Sequence, residues 1–106
     1  MGVIDSIDIT PVQREQVVDL LTRFIPGVAV WAYGSRVKGS SRPESDLDLI
    51  AFTTPEQRGA ISALKEAFEE SSLPFRVDVL VWDEVPENFR KNISEQYVAL
   101  VGKPAE

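Results

Sequence analysis

The 106-residue sequence contains no cysteine and no histidine. Without cysteine it has neither disulfides nor thiolate metal sites, and without histidine it has neither imidazole ligands nor a histidine-based catalytic triad. Any metal chemistry therefore has to rest on oxygen ligands, which favour Mg²⁺, Mn²⁺ or Ca²⁺.

Long apolar runs and an excess of basic residues are also missing. No run approaches the roughly 18 apolar residues of a transmembrane helix, and no apolar signal segment follows Met1. We therefore expect no membrane contact and a cytoplasmic location. The net charge is -6, from 17 acidic and 11 basic residues, whereas a free nucleic-acid binder usually carries a basic face. Direct nucleic-acid binding is thus disfavoured.

The composition is that of a folded domain. Apolar residues make up 43% and charged residues 26% of the chain, which predicts a packed core. The length predicts a single domain over residues 1–106. Because so small a domain is only modestly stable alone, the length also favours a binding partner.

The hydrophobic pattern alternates between helices and strands, after a loose lead-in of eight residues. Thr10-Pro11-Val12-Gln13 is typical of a helix start, and the same capping pattern recurs from Thr54. The predicted order is a helix from residue 10, a strand over 28–33, a loop over 34–45 with at most one helical turn, a strand over 47–52, a helix from 54, a strand over 75–82, and a short helix with an irregular tail over 86–101. This order indicates an α/β (α+β) fold, in which helices pack on a small mixed sheet.

Two aspartates stand at the start of the second strand. Asp46 and Asp48 are two residues apart, so they share one face of the strand, while Leu47 and Leu49 face the core. Carboxylates on one face repel each other unless a cation lies between them. They could together bridge a pair of magnesium ions about 3.5–4 Å apart. The alternative is a turn with two solvated acids.

A third aspartate, Asp78, lies between Val77 and Val79 on the third strand. A carboxylate in such apolar surroundings is unfavourable unless it is paired or bound to a metal. The alternative is an aspartate of an edge strand that faces solvent.

The loop after the first strand is rich in glycine, serine and basic residues. Gly34 ends the strand and Ser35 follows, an arrangement that offers backbone N–H groups and a hydroxyl to a phosphate. Arg36 and Lys38 add positive charge, and we predict that they also contact the phosphates. A surface loop with solvated charges is the alternative.

The sequence contains a pattern of Gly34-Ser35, ten further residues, Asp46-x-Asp48 and a later Asp78 on a strand. This pattern resembles the DNA polymerase β-type nucleotidyltransferase superfamily. Within it, residues 30–39 and 75–82 look like the minimal nucleotidyltransferases of the MntA antitoxin type. The resemblance extends over residues 10–101, which is nearly the whole chain.

The resemblance implies roles for these five residues. Asp46 and Asp48 would ligate two Mg²⁺ ions. Asp78 would ligate the catalytic ion and help to deprotonate or orient the attacking hydroxyl. Gly34 and Ser35 would hold the triphosphate of the substrate ATP.

The resemblance also implies a partner. Larger members of the superfamily carry extra domains for the acceptor, so here another protein is expected to complete that site. The expected partner is a HEPN-domain toxin, to which AMP is transferred on a tyrosine hydroxyl, so the chain would be an antitoxin. Two alternatives remain. One is a small-molecule nucleotidyltransferase completed by a helical subunit, and the other is a non-catalytic module that neutralises its partner by binding.

Overall fold

The computed structural model describes residues 7–102. In chain order its helices and strands are α1 (Pro11–Phe24), β1 (Val30–Tyr33), α2 (Ser35–Lys38), β2 (Leu47–Ala51), α3 (Arg58–Glu69), β3 (Val77–Val81), α4 (Glu87–Glu95) and β4 (Val98–Val101). Most of the predicted lead-in lies outside this range. Its last two residues, however, are held against the fold: Ile7 packs against the core, and the backbone N–H of Asp8 donates to the carbonyl of Arg36 at 2.7 Å.

Capping boxes start both long helices, as the sequence predicts. Thr10 and Gln13 exchange side-chain and backbone hydrogen bonds at the start of α1. Thr54 and Gln57 form the second box, which opens a short 3₁₀ turn that leads directly into α3. Each box gives partners to backbone N–H groups that have none within the helix.

The four strands form one mixed sheet in the order β3-β2-β1-β4. Strand β1, one of the two inner strands, runs antiparallel to β2 and β4, while β2 and β3 run parallel. Parallel neighbours need a long crossover connection, and α3 supplies it. The predicted mixed sheet with helices packed on it is confirmed.

One face of the sheet forms the main core. Leu47 and Leu49 are fully buried there, as predicted, together with Val79 from β3, and residues of α1 and α3 such as Leu21 and Leu64 cover them. Because side chains alternate along a strand, the residues between these positions point to the opposite face. That opposite face carries the candidate site.

A second, smaller cluster covers part of the opposite face. Ile93 of α4 packs with Tyr33 and Ile50. Further along the sheet, the ring of Trp31 stacks on Tyr97, with 3.7 Å between centroids and 16° between planes. Trp31 and Tyr33 both contribute to this cluster.

The C-terminal prediction is partly wrong. The predicted short helix exists as α4, but the predicted irregular tail contains β4, which pairs with β1 at the edge of the sheet. Its four residues, Val98–Val101, read Val-Ala-Leu-Val and are apolar, which is typical of a strand. Within residues 7–102, no helix is long and apolar enough to span a membrane.

Candidate active site

Asp48 and Asp78 lie next to each other across two strands. In the parallel register of β2 and β3, Asp48 is the direct partner of Asp78. On the other side of β2, Asp48 is the direct partner of Tyr33 in the antiparallel register with β1. The three side chains therefore form a row across the sheet, on the face opposite the main core. The sequence predicted the two acids but not that Tyr33, the last residue of β1, lies beside Asp48.

Asp46 precedes β2 and is exposed. It stands two residues before Asp48, so the extended chain presents both carboxylates on the same side. Its negative charge acts on Asp48, where it contributes to a raised pKa. Asp48 and Asp78 are thus neighbours on adjacent strands, and Asp46 lies two residues before Asp48.

The electrostatics of this row are unfavourable as it stands. Burial, together with the negative charges of Asp78 and Asp46, raises the pKa of Asp48 to about 6. The pKa of the Tyr33 hydroxyl is also raised, first by burial and then by Asp48 and Asp78. A group of like charges with this effect is typical of a site that is completed by a cation.

Gly34 lets the backbone turn sharply beside Asp48. Its φ is 86°, a left-handed value that L side chains rarely adopt,. A Cβ at this position would overlap Oδ2 of Asp48. The backbone angle therefore favours glycine here, and a side chain would also force the Asp48 carboxylate to shift. This turn leads into α2, which begins at Ser35, so Ser35 lies close to the acids.

Arg36 holds the loop between α2 and β2. Its side chain is only 6% exposed. The guanidinium donates to the carbonyls of Asp8 at 2.7 Å, Pro43 at 3.0 Å and Ser45 at 3.0 Å, with a longer contact to that of Arg42. It also stacks over the ring of Phe75, 4.2 Å from the centroid.

These contacts correct the prediction for Arg36. Its donors are occupied by loop carbonyls, so the side chain is not available to a phosphate beside Gly34. The structure assigns it instead to fixing the segment that leads into Asp46. The sequence signal was ambiguous, because an arginine next to a Gly-Ser turn carries the same charge whether it faces a ligand or its own backbone.

Lys38 has a different position. It is exposed, and it lines an open pocket of about 590 Å³ together with Tyr33, Gly34 and α4 residues that include Phe89 and Gln96. Its side chain therefore lies at a pocket that borders the Gly34 turn. The predicted contact of Lys38 with a phosphate stays a prediction.

Comparison with known proteins identifies the family. Residues 15–106 match the family described as polymerase beta, nucleotidyltransferase. The chain belongs to this nucleotidyltransferase family.

Individual relatives agree with that assignment. A curated protein of Haemophilus influenzae named probable protein adenylyltransferase MntA is 44% identical to this nucleotidyltransferase over 99 residues, which are 92% of this chain and 87% of that protein. A chain of a crystal structure described as a toxin-antitoxin with AMP-PNP has a TM-score of 0.66 at 20% identity, covering 85% of this chain and 73% of the other. A chain of the complex of tri-AMPylated Shewanella oneidensis HEPN toxin with MNT antitoxin has a TM-score of 0.53 at 17% identity, covering 87% and 71%. These two structures share the fold.

The acids of this nucleotidyltransferase also suit a divalent cation. All three offer hard oxygen ligands, which Mg²⁺ prefers, and the pKa of Asp48 is raised by its burial and then by the negative charges of Asp78 and Asp46. Within residues 7–102, no three acidic side chains are drawn together closely enough to hold an ion. Binding of one ion by all three acids would therefore require their side chains to move closer together.

Proposed function

We propose that this nucleotidyltransferase is a Mg²⁺-dependent protein adenylyltransferase that transfers AMP from ATP to a hydroxyl of a HEPN-type toxin, and that it acts as the antitoxin of that pair. The observation that carries the proposal is the row of Asp48 and Asp78 beside the Gly34 turn, with Asp46 two residues away. The row joins a candidate metal site to a candidate phosphate site within a single patch of the sheet.

The acids have separate roles in this proposal. Asp46 and Asp48 would hold two Mg²⁺ ions, and Asp78 would help to hold the catalytic one. When bound, the ions would offset the negative charge on the attacking and leaving oxygens. Gly34 and Ser35 would bind the triphosphate through the backbone and the serine hydroxyl.

The reaction is a displacement at the α-phosphorus of ATP. The hydroxyl oxygen of the acceptor forms a bond to this phosphorus, and the bond from the phosphorus to the bridging oxygen breaks. Pyrophosphate leaves with the electron pair of that bond, and the hydroxyl proton passes to Asp78 and then to solvent. No covalent enzyme intermediate is needed, which agrees with the lack of cysteine and histidine nucleophiles.

The nature of the acceptor is inferred from relatives. The 44% identical protein is named a probable protein adenylyltransferase, and a structure with the same fold contains a tri-AMPylated HEPN toxin with its MNT antitoxin. A protein hydroxyl is therefore the favoured acceptor, with tyrosine as the residue that the sequence resemblance implies. We place the reaction in the cytoplasm, where ATP and Mg²⁺ are abundant.

Intact-mass spectrometry tests the proposal. The purified protein is mixed with ATP, Mg²⁺ and the product of the adjacent gene, and the partner should gain the mass of one or more AMP groups. Asp46→Asn combined with Asp48→Asn should abolish the gain, whereas Asp19→Asn, on the exposed surface of α1, should leave it intact.

The other outcomes select the alternatives. An AMP adduct on a small molecule, with an unmodified partner, would indicate a small-molecule nucleotidyltransferase. Full neutralisation of the toxin in cells by the double aspartate variant would indicate that binding alone suffices. Either result contradicts the proposed function.

A further inference from the structure

A pocket lies between α2 and α4, on the face of the sheet that carries the acids. Its volume is about 590 Å³, which is within the range of small-molecule sites,. Tyr33 and Gly34 both line it. Because Tyr33 is also the neighbour of Asp48 in the row of the candidate site, the pocket continues from the place where the proposed function puts the α-phosphate of ATP. The α-phosphate carries the ribose and its base, so the nucleoside part of ATP can reach the pocket.

The charges in this pocket favour an uncharged group. Within residues 7–102, the charged side chains of its lining are Lys38 and Glu95, and both are exposed. Their charges are opposite, so together they give the pocket no net attraction for an anion. The phosphates therefore belong at the Gly34 turn, and the pocket suits the neutral nucleoside.

An aromatic ring provides a surface for the base. Phe89 lines the pocket and is half-buried. Its ring meets that of Tyr33 edge to face, with 6.0 Å between centroids and 86° between planes. A perpendicular contact covers at most one face of the Phe89 ring, so ring surface remains for a stacked base. Stacking on an aromatic ring holds every type of base, and it therefore does not select one.

Gln96, in the same pocket, has an amide with a defined orientation. Its Nε2 donates to the carbonyl of Val37 at 3.4 Å. Val37 belongs to α2, and the last carbonyls of a helix have no partner within it. A carbonyl can only accept, so the NH₂ group of Gln96 faces Val37 and the side-chain oxygen faces away from it. That oxygen can accept a hydrogen bond from a ligand in the pocket.

We propose that the pocket holds the adenosine part of ATP and that Gln96 selects adenine through the 6-amino group of that base, an inference that rests on the proposed function. The base stacks on Phe89, and the amino group donates to the side-chain oxygen of Gln96. Guanine has a carbonyl in place of this amino group, so the same position would bring two acceptors together. Asn92 also lines the pocket, and its amide can both donate and accept, which makes it a suitable second partner for adenine.

Calorimetric titration of triphosphates in the presence of Mg²⁺ tests the role of Gln96. Without the partner protein no acceptor is present, so binding is measured without turnover. The two probes are ATP and purine riboside triphosphate, which lacks only the 6-amino group. The wild type should bind ATP at least about tenfold more tightly than the second probe, and Gln96→Met should bind the two equally. Gln16→Met, the same change on the exposed surface of α1, should discriminate as the wild type does.

Two results would overturn selection by Gln96. One is a Gln96→Met protein that discriminates between the triphosphates as strongly as the wild type, and the other is a wild type without any preference for ATP. The KM values of the two triphosphates in AMP transfer to the partner give a second readout. Gln96→Met should raise the KM for ATP and leave kcat unchanged, whereas a change in kcat alone would contradict a role in binding the base.

NMR locates the base independently. With Mg²⁺ and ATP bound, nuclear Overhauser effects should join the H2 or H8 proton of adenine to ring protons of Phe89. Trp82, a half-buried aromatic residue that lines a different pocket, should show none. Effects at Trp82 instead of Phe89 would overturn the proposal. So would ring signals of Phe89 that respond to the HEPN-domain partner and not to ATP, because the pocket would then hold a side chain of the partner.

The inference and the proposed function fail in different ways. If the partner gains AMP but neither Gln96 nor Phe89 responds to the base, the adenosine pocket is wrong and the proposed function stands. If both residues recognise adenine and the partner never gains AMP, the pocket binds adenosine as described and transfer to a HEPN-type toxin is wrong.

Discussion

Asp48 and Asp78 are direct partners in the parallel register of β2 and β3, so two carboxylates lie side by side on one face of the sheet. Cross-strand pairs of like charge destabilise a sheet. The structure keeps this pair beside Tyr33, a buried side chain that offers no compensating positive charge. The arrangement is therefore understandable as a binding site for a cation, and its energetics should depend on pH and on metal.

The pKa of Asp48 predicts how stability depends on pH. Its folded value is about 6, above the unfolded value of about 3.9. The folded state thus binds a proton at Asp48 more tightly than the unfolded state does. This proton binding stabilises the fold fully below the unfolded pKa, and the stabilisation is lost as pH rises through about 6. In urea unfolding without metal, the free energy of unfolding of Asp48→Asn should exceed that of the wild type near pH 8 and equal it at about pH 4. Asp83→Asn, an exposed control, should show no such crossover.

Mg²⁺ should reverse that pH dependence. Only the deprotonated carboxylates bind the ion, so millimolar Mg²⁺ should raise the melting temperature near pH 8 and have no effect at about pH 4.5. Asp48→Asn should remove the effect at every pH. Differential scanning fluorimetry measures this, and a Mg²⁺ effect that persists in the variant would place the ion elsewhere.

Gly34 and Gly39 both have a positive φ, 86° and 79°, but they differ in two respects. The ψ of Gly39 is 15°, in the left-handed helical region, whereas that of Gly34 is -157°, a combination that is essentially restricted to glycine,. In addition, a Cβ at Gly39 meets nothing within 4 Å, while one at Gly34 overlaps Asp48. Gly39→Ala should therefore lose about 1 kcal/mol of stability and keep its activity. Gly34→Ala should lose more, about 2–4 kcal/mol, and most of its AMP transfer. Equal losses in denaturant unfolding and activity would contradict a special role of Gly34, both for its backbone conformation and for the space beside Asp48.

The buried Arg36 should be required for stability. Arg36→Ala leaves loop carbonyls without donors and should lower the free energy of unfolding by about 3 kcal/mol. Arg36→Lys should recover little of this, since an ammonium group cannot reach carbonyls on three sides at once. Arg42→Ala, an exposed neighbour, should stay within about 0.5 kcal/mol of wild type. A stable Arg36→Ala protein that binds ATP poorly would restore the predicted phosphate contact.

Local patterns in the sequence were sufficient for most of the architecture. The capping boxes at Thr10 and Thr54 and the alternation around Leu47 and Val79 depend on neighbours in the chain, so they predict helix starts and buried strand faces. The run Val98–Val101 carries the same kind of signal. It was predicted as an irregular tail, and only its pairing with β1 makes it a strand.

The site was less predictable, because its geometry depends on contacts between distant residues. The spacing of Asp46 and Asp48 fixes their common face, but the pairing of Asp48 with Asp78 and with Tyr33 follows from the sheet order. Arg36 is held in part by the carbonyl of Asp8, 28 positions earlier in the chain. Charge and position next to Gly34 could not separate a ligand contact from this internal role.

The most direct test of the account is a single-turnover assay with ATP labelled at the α-phosphate, the HEPN-domain partner and Mg²⁺. Asp78→Asn is compared with Asp83→Asn, five residues further along the chain and exposed. We predict that Asp78→Asn transfers label to the partner at least about 100-fold more slowly, while Asp83→Asn transfers it at the wild-type rate. Label transfer by Asp78→Asn at the wild-type rate would contradict the claim that the paired aspartates of β2 and β3 perform the chemistry.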